Sequence, residues 1–96
     1  MNIGILRIRL RLPQNASLKD KRQVVKSITA RMKNRFNVSV AEVADNDKWQ
    51  LATLGISCVS NDGRYTDEVL AKVKSFVDDS RYDAEIIEIE QEVITF

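Results

Sequence analysis

The sequence contains no histidine and a single cysteine, Cys58. These absences exclude a Cys–His nucleophilic pair, a zinc or soft-metal site and any intrachain disulfide, and the last fits a reducing compartment. No stretch approaches the ~18 consecutive apolar residues of a membrane span. The start, Met1 to Gly4, runs into arginines instead of an apolar signal core, so the expected location is cytoplasmic. Glycine is scarce, at three residues. Neither a GxxxxGK[ST] phosphate loop nor a GxGxxG dinucleotide fingerprint occurs, and the GXXG of KH domains is missing too. No cofactor is expected.

What is present is ordinary in amount and unusual in distribution. The chain has 96 residues, 44% of them hydrophobic, with a net charge of +1. That is enough for one domain, residues 1–96, with its own core. The small net charge hides a strong polarity. Between Ser17 and Asn37 seven cations face one anion; between Asp78 and Glu92 seven anions face one cation, Arg81. Such a split points to surfaces of opposite sign within one fold.

Residues 3–12, IGILRIRLRL, alternate with period two. Leu6, Ile8, Leu10 and Leu12 share one face of a half-buried strand, and Arg7, Arg9 and Arg11 share the other. Pro13 ends it. Ser17 is placed to cap a helix, and Asp20, three residues on, to close a capping box. Val24, Val25, Ile28, Met32 and Phe36 form that helix's apolar stripe, and Asn37 marks its end. Residues 38–43 and 51–60 read as a hairpin turned by ADNDKWQ. SNDG, Ser60–Gly63, is a turn and cap leading into a second helix over 64–78, with Tyr65, Val69, Leu70, Val73, Phe76 and Val77 inward. Residues 84–96 form a last strand, with Ile87, Ile89 and Val93 facing in and Glu88, Glu90 and Glu92 facing out.

The order strand–helix–strand–strand–helix–strand predicts an α+β, ferredoxin-like β-α-β-β-α-β sandwich. It has a four-stranded antiparallel sheet with two helices on one face. The first and last strands are then antiparallel neighbours. A register in which paired numbers sum to 99 sets Arg7, Arg9 and Arg11 against Glu92, Glu90 and Glu88. It also sets Ile5 against Ile94 and Ile3 against Phe96. Its one mismatch is Ile8 against Gln91, the expected place for a bulge. Opposite charges across a strand pair contribute about 0.2–1 kcal/mol each. The two charged rows are thus most simply explained by each other.

This fold hosts several chemistries that these residues exclude. Acylphosphatases need a glycine-rich anion loop with an arginine after the first strand; here that loop is PQNAS. The CxxC of metal chaperones is absent. RNA-recognition motifs stack bases on aromatics of the two central strands. Here the first strand shows arginines outward, and residues 51–60 contain no Phe, Tyr or Trp. The expectation is a non-enzymatic protein. A catalytic centre near Ser60–Gly63 is the weakest alternative.

The cations of the first helix are left without partners by this scheme. Lys19, Lys21 and Arg22 crowd its first turn, where the helix dipole disfavours positive charge by about 0.3–1 kcal/mol each. A local rule broken without compensation marks functional surface. Phosphate would supply the compensation, so Lys19, Lys21, Arg22, Lys26 and Lys33 are the candidate RNA-binding residues. The bland reading is a solvated face whose lysine stems cover apolar edges. A second candidate surface is apolar: Ile3, Ile5, Ile94 and Phe96 on the open sheet face, with Trp49 at the hairpin, as a homodimer or partner contact.

The run SLKDKRQVVKS, then RFNVSVAEV, then a Trp after a short acidic turn, then LGISCVSNDG, resembles the YlxP-like family of small uncharacterised bacterial proteins. The resemblance covers essentially the whole chain. It implies a ferredoxin-like domain with no assigned catalytic residues. The family's gene often lies beside those for a translation initiation factor and a ribosome-assembly factor, which implies a link to ribosomal RNA or a ribosome precursor by association only. The matching positions are Ser17, Lys19, Asp20, Lys21, Arg22, Trp49, Asn61 and Asp62, and the family gives them no established role. The acidic turn DNDKW departs from relatives that carry a histidine there, so a role needing that imidazole does not transfer.

Overall fold

A computed structural model describes residues 1–79 and 83–96; Arg81, counted above in the acidic stretch, lies outside the described residues. The elements are β1 (Asn2–Arg11), α1 (Leu18–Arg35), β2 (Ser39–Ala44), β3 (Leu51–Ser60), α2 (Gly63–Asp78) and β4 (Glu85–Thr95). They form one antiparallel sheet in the order β2-β3-β1-β4. This is the predicted ferredoxin-like arrangement, with β1 and β3 central and both helices packed on one face.

The core lies between that face and the helices. Leu6, Ile8 and Leu10 of β1 and Leu54 and Ile56 of β3 meet Ile28 and Met32 of α1 and Val69, Leu70, Val73 and Val77 of α2. Close approach of α2 to β1 requires glycine at position 4. A Cβ there would lie 2.5 Å from Thr66 Cγ2 and 3.0 Å from Cys58 Sγ. Burial pushes the Cys58 thiol pKa up, so this thiol packs as a small apolar group.

Local rules set the helix starts. Ser17 Oγ accepts from Asp20 N–H at 3.1 Å, and the Asp20 carboxylate accepts from Ala16 N–H at 2.9 Å. The box thus closes one residue earlier than the usual cap N–H. Asp62 caps α2 through Arg64 N–H at 2.9 Å, and Ser60 Oγ accepts from Asp62 N–H at 2.9 Å. SNDG is therefore a turn and cap. Helix α1 ends at Arg35, with Phe36, not Asn37, as its extended C-terminal cap.

The pairing of β1 with β4 differs from expectation by two residues. Paired numbers sum to 97: Ile3 meets Ile94, Ile5 meets Glu92, Arg7 meets Glu90 and Ile8 meets Ile89. The chain ends agree, since Met1 N donates to Phe96 O at 2.6 Å and Phe96 N to Met1 O at 2.8 Å. Charge could not select between these registers, because the glutamates repeat with the strand period and a slip of two preserves the arginine–glutamate match. Apolar matching could not select either: Gln91 opposes Ile8 in the expected register and Leu6 in the observed one, where Ile8 gains an isoleucine. The bulge falls between Arg9 and Leu10 instead of at Ile8, with Ile87 as the extra residue. Past the bulge Ile86 pairs with Leu10 and packs against the core, whereas Ile87, Ile89 and Val93 are 44%, 42% and 36% exposed. The expectation that these three face a covered core is corrected. β4 is an edge strand that α2 meets only in part.

Candidate nucleic-acid interface

The basic residues separate into cations that the fold neutralises and cations that it does not. On the open sheet face every β1 arginine is paired. Arg7 bonds Glu90, Arg11 donates to Glu85 at 2.7 Å, and Arg9 turns to Asp45 at 3.1 Å. An ion ladder is present as expected, but with shifted partners. The Arg7 guanidinium holds the Glu90 carboxyl below its ordinary value.

Arg9 departs because the β2–β3 hairpin brings a better acceptor. A bulge at Val43 ends the regular ladder, and Asp45 follows with φ 62°, a conformation that aspartate tolerates better than most residues. The Asp45 carboxylate accepts from Thr53 Oγ1 at 2.7 Å and Arg9 Nε at 3.1 Å, and lies 3.4 Å from Lys48 Nζ. The Thr53 hydrogen bond, then Arg9, holds its pKa below the ordinary 3.8 against an opposing effect of burial. Sequence alone signalled none of this, since Asp45 sits in a turn rich in Asp and Asn.

Lys21 belongs to the same knot. Its side chain is fully buried. Nζ donates to Asp45 O at 2.6 Å and Leu51 O at 3.2 Å, and lies 2.8 Å from Glu42 Oε2. Glu42 Oε2 receives no well-aligned donor among the described residues, so the nearby ammonium is what balances it. This corrects the placement of Lys21 among the RNA-binding residues. It lies on the inward side of α1, between Leu18 and Val25, and its ammonium ties the helix to the hairpin. Helical spacing held the signal: Lys21 precedes Ile28 by seven residues, two turns, and so shares its buried face.

The remaining candidates stand where expected. Lys19, Arg22, Lys26 and Lys33 are exposed on one flank of α1, with no ion pair among the described residues. Arg31 and Arg35 lie on the opposite flank, towards α2. Arg35 sits 5.8 Å from the ring centres of Phe36 and Phe76, which meet edge to face at 5.9 Å.

The apolar candidates divide. Ile3 is half-buried, Ile5 and Ile94 are 37% and 38% exposed, and Phe96 is 85% exposed. They gather at one end of the sheet together with Val59, which opposes Ile3 from β3 and was missed in the sequence. Trp49 is half exposed but lies beyond the Arg11–Leu51 pair at the other end, about 27 Å away along β1. One contiguous patch therefore cannot include it. Its backbone carbonyl accepts from buried Asn15 at 3.2 Å, which fixes the hairpin to the β1–α1 loop.

The fold and this division of charge define a ferredoxin-like domain with a solvent-facing basic helix. Two designed proteins share the architecture. A de novo design with a ferredoxin fold superposes with a TM-score of 0.60 at 11% identity, covering 100% of this chain and 88% of its own. The design Foldit4 gives 0.54 at 16% identity, covering 98% of each chain. Both show the fold alone. Residues 3–91 match the model of the protein family of unknown function DUF503, and the chain belongs to that family. The uncharacterized protein YlxP of Bacillus subtilis (strain 168) is 44% identical over 62 residues, 65% of this chain and 67% of that protein.

Proposed function

We propose that this protein is a non-enzymatic, cytoplasmic RNA-binding module that lays phosphates of ribosomal RNA or a ribosome precursor along the outer flank of α1. The reading is carried by one observation. Lys19, Arg22, Lys26 and Lys33 share a flank without counter-ions among the described residues, whereas β1 arginines and Lys21 are all engaged. Lys19 lies in the first turn and Arg22 just beyond it, where phosphate would offset their unfavourable interaction with the helix dipole. The carboxylates with displaced pKa values, Asp45 and Glu90, are held by partners of the fold, which supports structural duty over catalysis.

Cosedimentation with ribosomal subunits tests this. Association should weaken steeply with salt, and the log–log slope should fall by about 0.7–0.9 for each phosphate contact removed. Reversal of Lys19, Arg22 and Lys26 to glutamate should abolish it; unchanged association would refute the reading.

A second reading is favoured by the patch of Ile3, Ile5, Val59, Ile94 and Phe96, a homodimer or partner contact on the open sheet face. It predicts self-association insensitive to salt. A strict monomer at high concentration in sedimentation equilibrium counts against the dimer.

A further inference from the structure

Between α1 and α2 lies an open groove of about 750 Å³. Among the described residues, Arg31, Arg35 and Lys72 line it against one anion, Asp79, and the aromatic rings Tyr65, Phe36 and Phe76 lie among them. Tyr65 was expected inside, but it is 53% exposed. The fold keeps a large ring at the solvent edge beside cations. At the other end the Arg35 guanidinium lies 5.8 Å from both phenylalanine ring centres. A ring or a guanidinium plane is a platform for an unstacked base, and interspersed cations hold the connecting phosphates.

We propose that this groove binds a short stretch of single-stranded RNA, with one base on Tyr65 and another at the Arg35–Phe36–Phe76 cluster, and phosphates on Arg31 and Lys72. The proposal rests on the RNA reading above and extends the same strand across α1. Spacing selects a strand over a free nucleotide. Tyr65 and Phe76 are eleven residues apart on one helix, about 16 Å at 1.5 Å per residue, which one nucleotide does not bridge.

The test measures binding of a fluorescein-labelled single-stranded octaribonucleotide and of its duplex, with adenosine monophosphate as a third probe. Tyr65→Ala should weaken the single strand by about 5- to 100-fold and leave the duplex within about twofold, while Tyr65→Phe restores binding because the ring and not the hydroxyl stacks. Tyr65 is half exposed, and a thermal melt confirms that the variant is folded. Lys72→Ala should lower the single-strand salt slope by about 0.7. Equal loss for both probes, or no loss for either, overturns the groove while leaving phosphate binding on α1 standing. Adenosine monophosphate binding as tightly as the octamer overturns the strand in favour of a mononucleotide pocket. An amphipathic model peptide that shifts the Tyr65 and Phe76 ring resonances where the octamer does not overturns it in favour of a protein occupant. Failure of the wild type to bind any RNA overturns both readings.

Discussion

Replacing Lys21 with methionine keeps the unbranched stem of the side chain and removes the ammonium at its end. Three oxygens then lose the ammonium: the Asp45 and Leu51 carbonyls, at 2.6 and 3.2 Å, and Glu42 Oε2, at 2.8 Å, of which the Asp45 carbonyl keeps a second donor in Lys48 N–H at 3.0 Å. Removing one member of a buried ion pair costs about 3–5 kcal/mol, because the other charge stays desolvated. Domains of this size have about 5–15 kcal/mol in all. At about 4–8 °C per kcal/mol the melting temperature should fall by roughly 12–40 °C. The double variant Lys21→Met, Glu42→Leu removes both charges and should recover a large part of the loss. It would not recover all, since the Leu51 carbonyl loses its lysine donor, at about 1–3 kcal/mol, whereas the Asp45 carbonyl keeps the Lys48 N–H at 3.0 Å. Urea denaturation of the wild type, both single variants and the double variant gives the coupling energy directly. A loss below about 1 kcal/mol for Lys21→Met would refute the reasoning, since that is the range of an exposed lysine pair. The same variant, at a temperature where it is folded, should keep the wild-type salt slope of RNA association.

Thr53→Val removes the hydroxyl that most strongly depresses the Asp45 pKa, so that pKa should rise towards 3.8. The wild-type contribution is present above the ordinary value and fades as pH falls through the lower folded value, so the variant should gain less stability on the acid limb. A carboxyl NMR titration showing an unmoved Asp45 refutes this. Gly4→Ala drives a Cβ to 2.5 Å from Thr66 Cγ2 and 3.1 Å from Leu70 Cδ1 and should cost about 1–3 kcal/mol in urea denaturation. Val59→Lys should disperse any dimer held by the open-face patch without lowering the melting temperature appreciably, since Val59 is 62% exposed. An unchanged sedimentation coefficient at high concentration removes that interface.

Period and punctuation made most of the fold legible. The alternation of residues 3–12 fixed both faces of β1, and Ser17 and Asp62 announced the helix starts that they cap. What stayed hidden depended on degenerate signals. The acid row of β4 repeats every two residues, so it accepted a wrong register as readily as the right one. Tyr65 fitted the inward spacing of α2, yet the groove beside it stays open. Lys21 sat on the apolar stripe in plain spacing, and its charge sent it to the wrong surface. A lysine at a buried helical position needs acceptors that come from elsewhere in the chain. Here they are twenty-four and thirty residues away, at Asp45 and Leu51.

That internal lysine bears on why α1 starts with so much positive charge. Three cations in the first turn looked like one phenomenon with one cause. They are two. Lys21 turns inward, where two carbonyls and a carboxylate surround its ammonium and compensate the position it occupies near the positive end of the helix. Lys19 and Arg22 turn outward, and no described side chain compensates them. The cations needing an external anion are therefore fewer than the sequence indicated, but they are more clearly set apart. Anchoring through Lys21 also bears on the phosphate reading: it ties the first turn of α1 to the β2–β3 hairpin, so the outward cations would meet a phosphate backbone from a fixed position. A helix start that frayed would lose both the backbone amides and the charge alignment on which such a contact depends.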